Sequence, residues 1–346
     1  MENILITVFL TIAVGFFATS IVIPKAIEAF KKRGLVGIDM NKWHKPKVAE
    51  LGGLTVYIGF SAGVMLNIFL MRYLNLIELN LTLLLAAFST ISITIIIGLL
   101  DDLIGWKRGI SKLQHALLPL FAALPLMVVK IENPVIVLPF FGPLPSQIFL
   151  PIIGAVSFSL IYSLIIIPIG VTGAANAANM LAGLNGLEAG LGAIIHATLL
   201  IIGIMLQKPN AVVLSSAMLA SLLAFLRYNW FPAKIFGGDS LTLACGASTA
   251  AIVIISDMEK IGVALFALFF LELILKLRTK LQGESFGIAT KEGYLKAPKK
   301  ICSITHIAML AGKNKWKEWQ VVTFVLFLQA LVSAIVLVLT VSGVLL

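Results

Sequence analysis

Ten apolar runs, each near the length needed to cross a bilayer, constrain this chain more than any other feature. A spanning helix needs about 20 mostly apolar residues. Runs of that kind lie at 4–23, 52–71, 81–100, 113–129, 147–171, 183–206, 211–226, 240–256, 260–276 and 321–345. Only Glu188 and Glu272 place acids inside them, and Glu272 has Lys276 one helical turn later as a local partner. The predicted fold class is therefore an all-α integral membrane protein with about ten transmembrane helices. It forms one multi-pass domain over 1–346, with a long loop at 277–320 that has room for a small subdomain. The first run lacks a basic leader and a small-residue cleavage site, so it reads as a retained helix. The proline-rich loop at 131–146 carries a candidate hairpin strand at 135–140.

The basic residues decide orientation. All of the 26 Lys and Arg residues except Arg72, Lys130, Lys208 and Lys260 fall in odd-numbered loops or their flanks. Positive residues stay on the cytoplasmic side, so the odd loops are expected inside and both termini outside. The net charge of +10 does not indicate nucleic acid, because these residues sit between apolar runs. Anionic lipid head groups and a phosphorylated substrate are the natural partners. Only 12% of residues are charged, against about 25% in soluble domains, which excludes a mostly wet surface. Cys245 and Cys302 are too few and too far apart for a disulfide framework or a paired-cysteine metal site.

The polar residues that exceed capping needs collect on the predicted cytoplasmic side. Asp101 and Asp102 close the third span, where two acids oppose the helix dipole. A divalent cation or a cationic pocket would favour them there; the alternative is two solvated loop acids. The fifth loop, 172–190, has no basic residue but carries Asn176 and Asn179 on one helical face, then Asn185 and Glu188 at the same spacing. Gly183, Gly186 and Gly190 allow close helix packing or close approach of a ligand. In the seventh loop Asp239 follows Gly237 and Gly238, as an N-cap or as part of a backbone cradle for phosphate or metal. In the first loop Lys42 stands beside Asp39 and Asn41. Among the four histidines no metal-ligand spacing occurs, and His306, after a basic loop, is a candidate phosphate contact. Asp101, Asp102, Asn176, Asn179 and Asp239 offer oxygen ligands alone, which suit Mg²⁺ or Mn²⁺ and not zinc.

Four blocks in this order resemble the polyprenyl-phosphate N-acetylhexosamine-1-phosphate transferases: Asp39 to Lys42, the Asp101–Asp102 pair, NAANMLAGLNGLEAG from Asn176, and YNWFPAKIFGGDS from Tyr228. The likeness covers nearly the whole chain and is greatest to the eukaryotic and archaeal dolichyl-phosphate branch. It implies transfer of GlcNAc-1-phosphate from a UDP-sugar to a polyprenyl or dolichyl phosphate, with release of UMP, as the first step of lipid-linked oligosaccharide synthesis for protein glycosylation. It also implies that Asn179 and Asp239 bind Mg²⁺ with the diphosphate, and that Asp101 and Asp102 position the lipid phosphate or the metal's surroundings. Gly183, Asn185 and Glu188 would line the uridine pocket, Asn176, Lys42 and His306 would also bind substrate, and Lys112, Arg278 and Lys280 would contact phosphates. Homodimers are common in that family, and an archaeal source would put the chain in the cell membrane. Three departures matter. The histidine cluster of the peptidoglycan branch is reduced to His306 and the Asp-Gly pair of its asparagine loop is here Ala182-Gly183, which together argue against a muramyl-pentapeptide substrate, and Arg278-Thr-Lys280 replaces an Arg-x-Arg-like patch. The competing reading is a membrane transporter or lipid flippase, which would also use glycine-broken helices and an intramembrane acid.

Overall fold

A computed structural model describes residues 2–104, 116–129, 137–138, 142–143, 147–150 and 154–345. Its helices are α1 (Glu2–Lys32), α2 (Gly52–Leu74), α3 (Leu81–Ile104), α4 (Phe158–Met180), α5 (Leu187–Met205), α6 (Pro209–Asn229), α7 (Asp239–Ile255), α8 (Glu259–Leu265), α9 (Ala267–Leu277), α10 (Ile304–Ala311) and α11 (Glu318–Val341). Two short helical stretches, Pro119–Ala122 and Leu124–Val128, lie between α3 and α4. The chain is an all-α integral membrane protein. Among the described residues seven helices are long and apolar enough to cross a bilayer: α1 to α6 and α11.

The other expected spans differ in instructive ways. α7 is apolar but has 17 residues, about 26 Å at 1.5 Å per residue. Every residue from Ser240 to Ile255 is buried, so α7 is the central post of the bundle and its neighbours, not lipid, cover it. Small residues allow this. A Cβ on Gly246 would run into the Ala174 carbonyl of α4, and one on Gly98 of α3 would lie 2.5 Å from the Ser240 backbone. The expected ninth span, 260–276, is two helices that break at Phe266. In the expected fourth span, 113–129, the part from 116 onward is the two short stretches, and 113–115 lie outside the described residues.

The expected fifth span, 147–171, needs the largest correction. Its first part is an antiparallel hairpin of β5 (Gln147–Leu150) and β6 (Gly154–Ser157), and the helix starts at Phe158. Strand and helix are equally apolar here, so hydropathy alone could not divide them. The helix also runs further than expected, through Asn176 and Asn179 to Met180. The fifth loop thus shrinks to 181–186. Left-handed backbone at Gly183 (φ +102°) and Gly186 (φ +83°) keeps that turn out of helical geometry, and α5 begins at Leu187 rather than at 183. Of the candidate strand 135–140, β3 (Val137–Leu138) pairs with β4 (Gly142–Pro143), and the rest lies outside the described residues.

Two small sheets sit at the helix ends that carry the polar blocks. β1 (Val36–Ile38) pairs with β2 (Lys47–Ala49) within the first loop. In the long loop after α9, β7 (Ile288–Ala289), β8 (Tyr294–Lys296) and β9 (Trp316–Lys317) form an antiparallel sheet beside α10. The Glu272–Lys276 pair does more than join neighbouring turns of α9. Glu272 accepts hydrogen bonds from the Ile304 amide (2.7 Å) and the Ser303 hydroxyl (3.1 Å). Lys276 donates to the Gly283 carbonyl (2.8 Å) and to Ser285 Oγ (2.9 Å). Together they fasten the loop to the bundle.

Candidate active site

A cleft of about 1110 Å³ opens at this end of the bundle. Sites for small molecules commonly run to about 1,000 Å³. Its walls come from the first loop, the end of α3, the α4–α5 turn, the start of α7 and the segment after α9. Asp102, Asn179, Gly183, Asn185, Glu188 and Asp239 all line it, so six of the residues singled out in the sequence meet in one space.

α7 enters the cleft with its N-terminus, and α3 holds it there. Asp102 Oδ1 accepts from the Asp239 amide (2.7 Å), and Oδ2 accepts from the Ser240 amide (3.2 Å) and hydroxyl (2.9 Å). A helix leaves its first amides without internal partners. Here a carboxylate from another helix supplies the acceptor, and no side chain of the preceding Gly238 caps α7. Gly238 is required as glycine: its φ is +72°, and a Cβ there would strike Asp102. Thr242, one turn into α7, donates to Asn179 Oδ1 (3.1 Å) and lies 3.2 Å from the Asp239 carbonyl oxygen. One hydroxyl thus joins the Asn179 and Asp239 positions. Glu50 also lines the cleft, and burial, with the charge of Asp239 nearby, raises its pKa above the usual carboxylate value.

The other wall is an interlocked set of loops. Asn185 donates through Nδ2 to Asp39 Oδ2 (3.2 Å), and its Oδ1 accepts from the Ala233 amide (2.9 Å) and from Lys42 (3.3 Å). Its own amide donates to Glu318 Oε1 (2.7 Å), and Lys42 makes a close ion pair with the other Glu318 oxygen. Asn41 links the Gly183 carbonyl (2.7 Å) to the Gly287 amide (3.1 Å). Asn229 takes the Gly186 amide (3.1 Å) and donates to the Ile235 carbonyl (2.9 Å). Glu188 turns back to accept from the Gly183 amide. The amides of Gly52 and Gly53, which open α2, donate to the Phe236 and Gly237 carbonyls at 2.8 and 2.9 Å.

Other residues singled out in the sequence lie apart from the lining. Asp101 precedes Asp102 on α3 but does not line the cleft. Asn176 donates to the carbonyls of Ala116 (3.1 Å) and Thr172 (2.9 Å), tying α4 to the stretch before Pro119. Arg278 and Lys280 are exposed beyond the end of α9, next to Leu281 in the wall. His306 is buried behind the wall: Nε2 meets the Phe286 carbonyl (3.1 Å), and Nδ1 accepts from the Cys302 amide (3.3 Å). Burial lowers its pKa. Phe286 itself packs on Gly183, where a Cβ would lie 2.7 Å from its ring. Lys112 lies outside the described residues. Sequence reasoning gave no role to Glu318, Asn229, Ser240, Thr242 or Glu50. For Glu318 the available signal was an acid opening an apolar span, which reads as an ordinary favourable helix start.

Among the described residues no three His, Cys, Asp or Glu side chains cluster as a self-sufficient metal centre. Asn179, Asp239, Asp102 and Glu50 are among the oxygen-bearing side chains that line the cleft. A sparse oxygen set fits Mg²⁺, which keeps water ligands and usually takes one or two carboxylates plus substrate phosphates.

Comparison with known proteins gives the family. A Saccharolobus solfataricus protein, named provisionally as a UDP-N-acetylglucosamine–dolichyl-phosphate N-acetylglucosaminephosphotransferase, is 35% identical over 341 residues, 97% of each chain. The Dictyostelium discoideum protein of that name is 27% identical across 75% of this chain and 70% of its own. The phospho-N-acetylmuramoyl-pentapeptide-transferase of Halalkalibacterium halodurans is 28% identical over 93% of both. Residues 84–257, which run from within α3 to just past α7 and include Asp102, Asn179, Asn185 and Asp239, match glycosyl transferase family 4, and the chain belongs to that family.

Proposed function

We propose that this protein transfers N-acetylglucosamine 1-phosphate from UDP-N-acetylglucosamine to dolichyl or another polyprenyl phosphate, releasing UMP. The observation that carries the reading is the meeting of Asp102, Asn179 and Asp239, from three different helices, at one end of a membrane bundle. The archaeal and Dictyostelium relatives supply the substrate names.

In the reaction an oxygen of the lipid phosphate forms a bond to the β-phosphorus of the donor. The bond from that phosphorus to the bridging oxygen breaks, and UMP leaves with the electron pair. A phosphate monoester has a second pKa near about 6, so the nucleophile is already mostly dianionic at neutral pH. No side chain has to remove a proton, and single displacement is sufficient. The protein's contribution is placement and charge. Asp102 fixes the start of α7 and so aims Asp239. Thr242 aims Asn179. The interlocked loops hold the turn 183–186 against the donor side. Asn179 and Asp239 would hold Mg²⁺, whose chemistry there is to neutralise the diphosphate. The exposed cations Arg278 and Lys280 would draw phosphates to the rim, and Lys112 of the third loop remains a candidate phosphate contact by resemblance alone. The basic-residue bias supports a cytoplasmic position for this end of the bundle.

Purified full-length protein should release UMP from UDP-N-acetylglucosamine only when polyprenyl phosphate and Mg²⁺ are both present. Asp239→Ala and Asn179→Ala should each abolish release. Wild-type activity in both variants would remove the metal-site reading.

A further inference from the structure

The last membrane helix contributes a buried carboxylate to the cleft wall that the transfer chemistry does not use. Glu318 is 1% exposed and opens α11, 133 residues after Asn185 and 276 after Lys42. Its two oxygens reach different parts of the wall. Oε1 accepts the main-chain amide of Asn185 at 2.7 Å. Oε2 is paired with the ammonium of Lys42, which also lies 3.2 Å from Asp39 Oδ2 and 3.3 Å from Asn185 Oδ1. Lys42 is capped on another side by the Phe231 ring, 4.3 Å away. Two nearly buried carboxylates and one ammonium therefore converge around a single asparagine of the cleft lining.

Buried charge of this kind is not needed for stability, since apolar replacements of matched volume commonly serve as well. A cluster that leaves out the reacting atoms yet grips the turn 183–186 from both its main chain and its side chain has a geometric use. We propose that Glu318 is a positioning residue. Acting through Lys42 and Asn185, it locks the α4–α5 turn in the shape that receives the nucleotide end of the donor. This rests on the reading of the cleft as the donor site. Glu318 makes no contact with the Asp102–Asp239 side of the cleft, so its removal should weaken donor binding while acceptor use and turnover at saturation change little.

The test uses the full-length protein in lipid nanodiscs, with UMP release as the rate. Glu318→Gln and Lys42→Met are expected to raise the donor KM about tenfold each. The KM for polyprenyl phosphate and kcat should stay within threefold of wild type. Because both act through one contact, the double variant should also sit near tenfold rather than near a hundredfold. Glu318→Asp, which keeps the charge, should recover part of the loss. Independent effects that multiply in the double variant, or equal losses for donor and acceptor, would overturn the proposal. A second readout does not depend on the assigned substrates: amide hydrogen exchange in peptides covering 183–186 should speed up at least tenfold in Glu318→Ala, and unchanged exchange would also overturn it. A wild-type protein that releases no UMP from UDP-N-acetylglucosamine would defeat the functional reading alone, leaving the exchange result to decide the clamp.

Discussion

Replacing Asp102 with asparagine separates a residue that holds the site from one that reacts in it. The wild-type carboxylate accepts three hydrogen bonds from the start of α7, one on Oδ1 and two on Oδ2. Asparagine can keep one oxygen toward the Asp239 amide, but its NH₂ then faces the Ser240 N–H. The Ser240 hydroxyl can turn to the Gly237 carbonyl, already 3.2 Å away, so it stays satisfied. The amide cannot, and a buried unsatisfied donor costs about 1–3 kcal/mol, with about 1 kcal/mol more for lost charge assistance on the remaining bond. At about 1.36 kcal/mol per tenfold, a total of about 2–4 kcal/mol corresponds to about a 30- to 900-fold fall in kcat if Asp239 must be held in place. Ser240→Ala removes only the hydroxyl bond, for about 1 kcal/mol, or about a fivefold fall. UMP release at saturating donor and lipid phosphate, with thermal unfolding in detergent alongside, measures both. Asp102→Asn within threefold of wild type, or Ser240→Ala more damaging than Asp102→Asn, would refute the reasoning.

Other variants probe the scaffold. Gly98→Ala places a methyl 2.5 Å from the Ser240 backbone and should destabilise the protein by about 1–3 kcal/mol, read as a lower midpoint of thermal unfolding. Glu272→Ala leaves the Ile304 amide and Ser303 without their acceptor and should expose the segment after α9 to limited proteolysis while the membrane helices stay intact. His306 has a folded pKa below its ordinary 6.5, so the unfolded chain binds its proton first as pH falls. Stability should therefore decline as pH drops below about 6.5, and His306→Gln should flatten that decline in unfolding midpoints measured from pH 8 to 5.

Much of the bundle was readable because apolar length is nearly sufficient information for a lipid-facing helix. α2, α3, α6 and α11 lie within a few residues of the expected runs, and the order of polar blocks predicted which loops share a cleft. What failed did so for local reasons. Gln147 to Ser157 is apolar whether it pairs as strands or coils, so the hairpin was invisible to hydropathy. Asn176 and Asn179 share a helical face as their spacing predicts, but that face belongs to α4, which runs on to Met180, and not to the loop. Asp102 was legible as important, whereas its service as a cap for α7 needed the position of another helix. Glu318 could not be chosen from sequence, because its partners Lys42 and Asn185 lie 276 and 133 residues away.

That separation bears on how the molecule is made. A chain emerging from the ribosome delivers the asparagine turn and the α7 acid long before α11, so the first helices enter the bilayer with an unfinished wall. Lys42 and Asp39 must wait, solvated or provisionally paired, until the closing segment arrives and draws the turn into register. Nascent chains halted just short of residue 318 should be inserted and yet bind donor weakly, and tighter binding should appear only once the last helix has left the ribosome and seated that carboxylate against the turn.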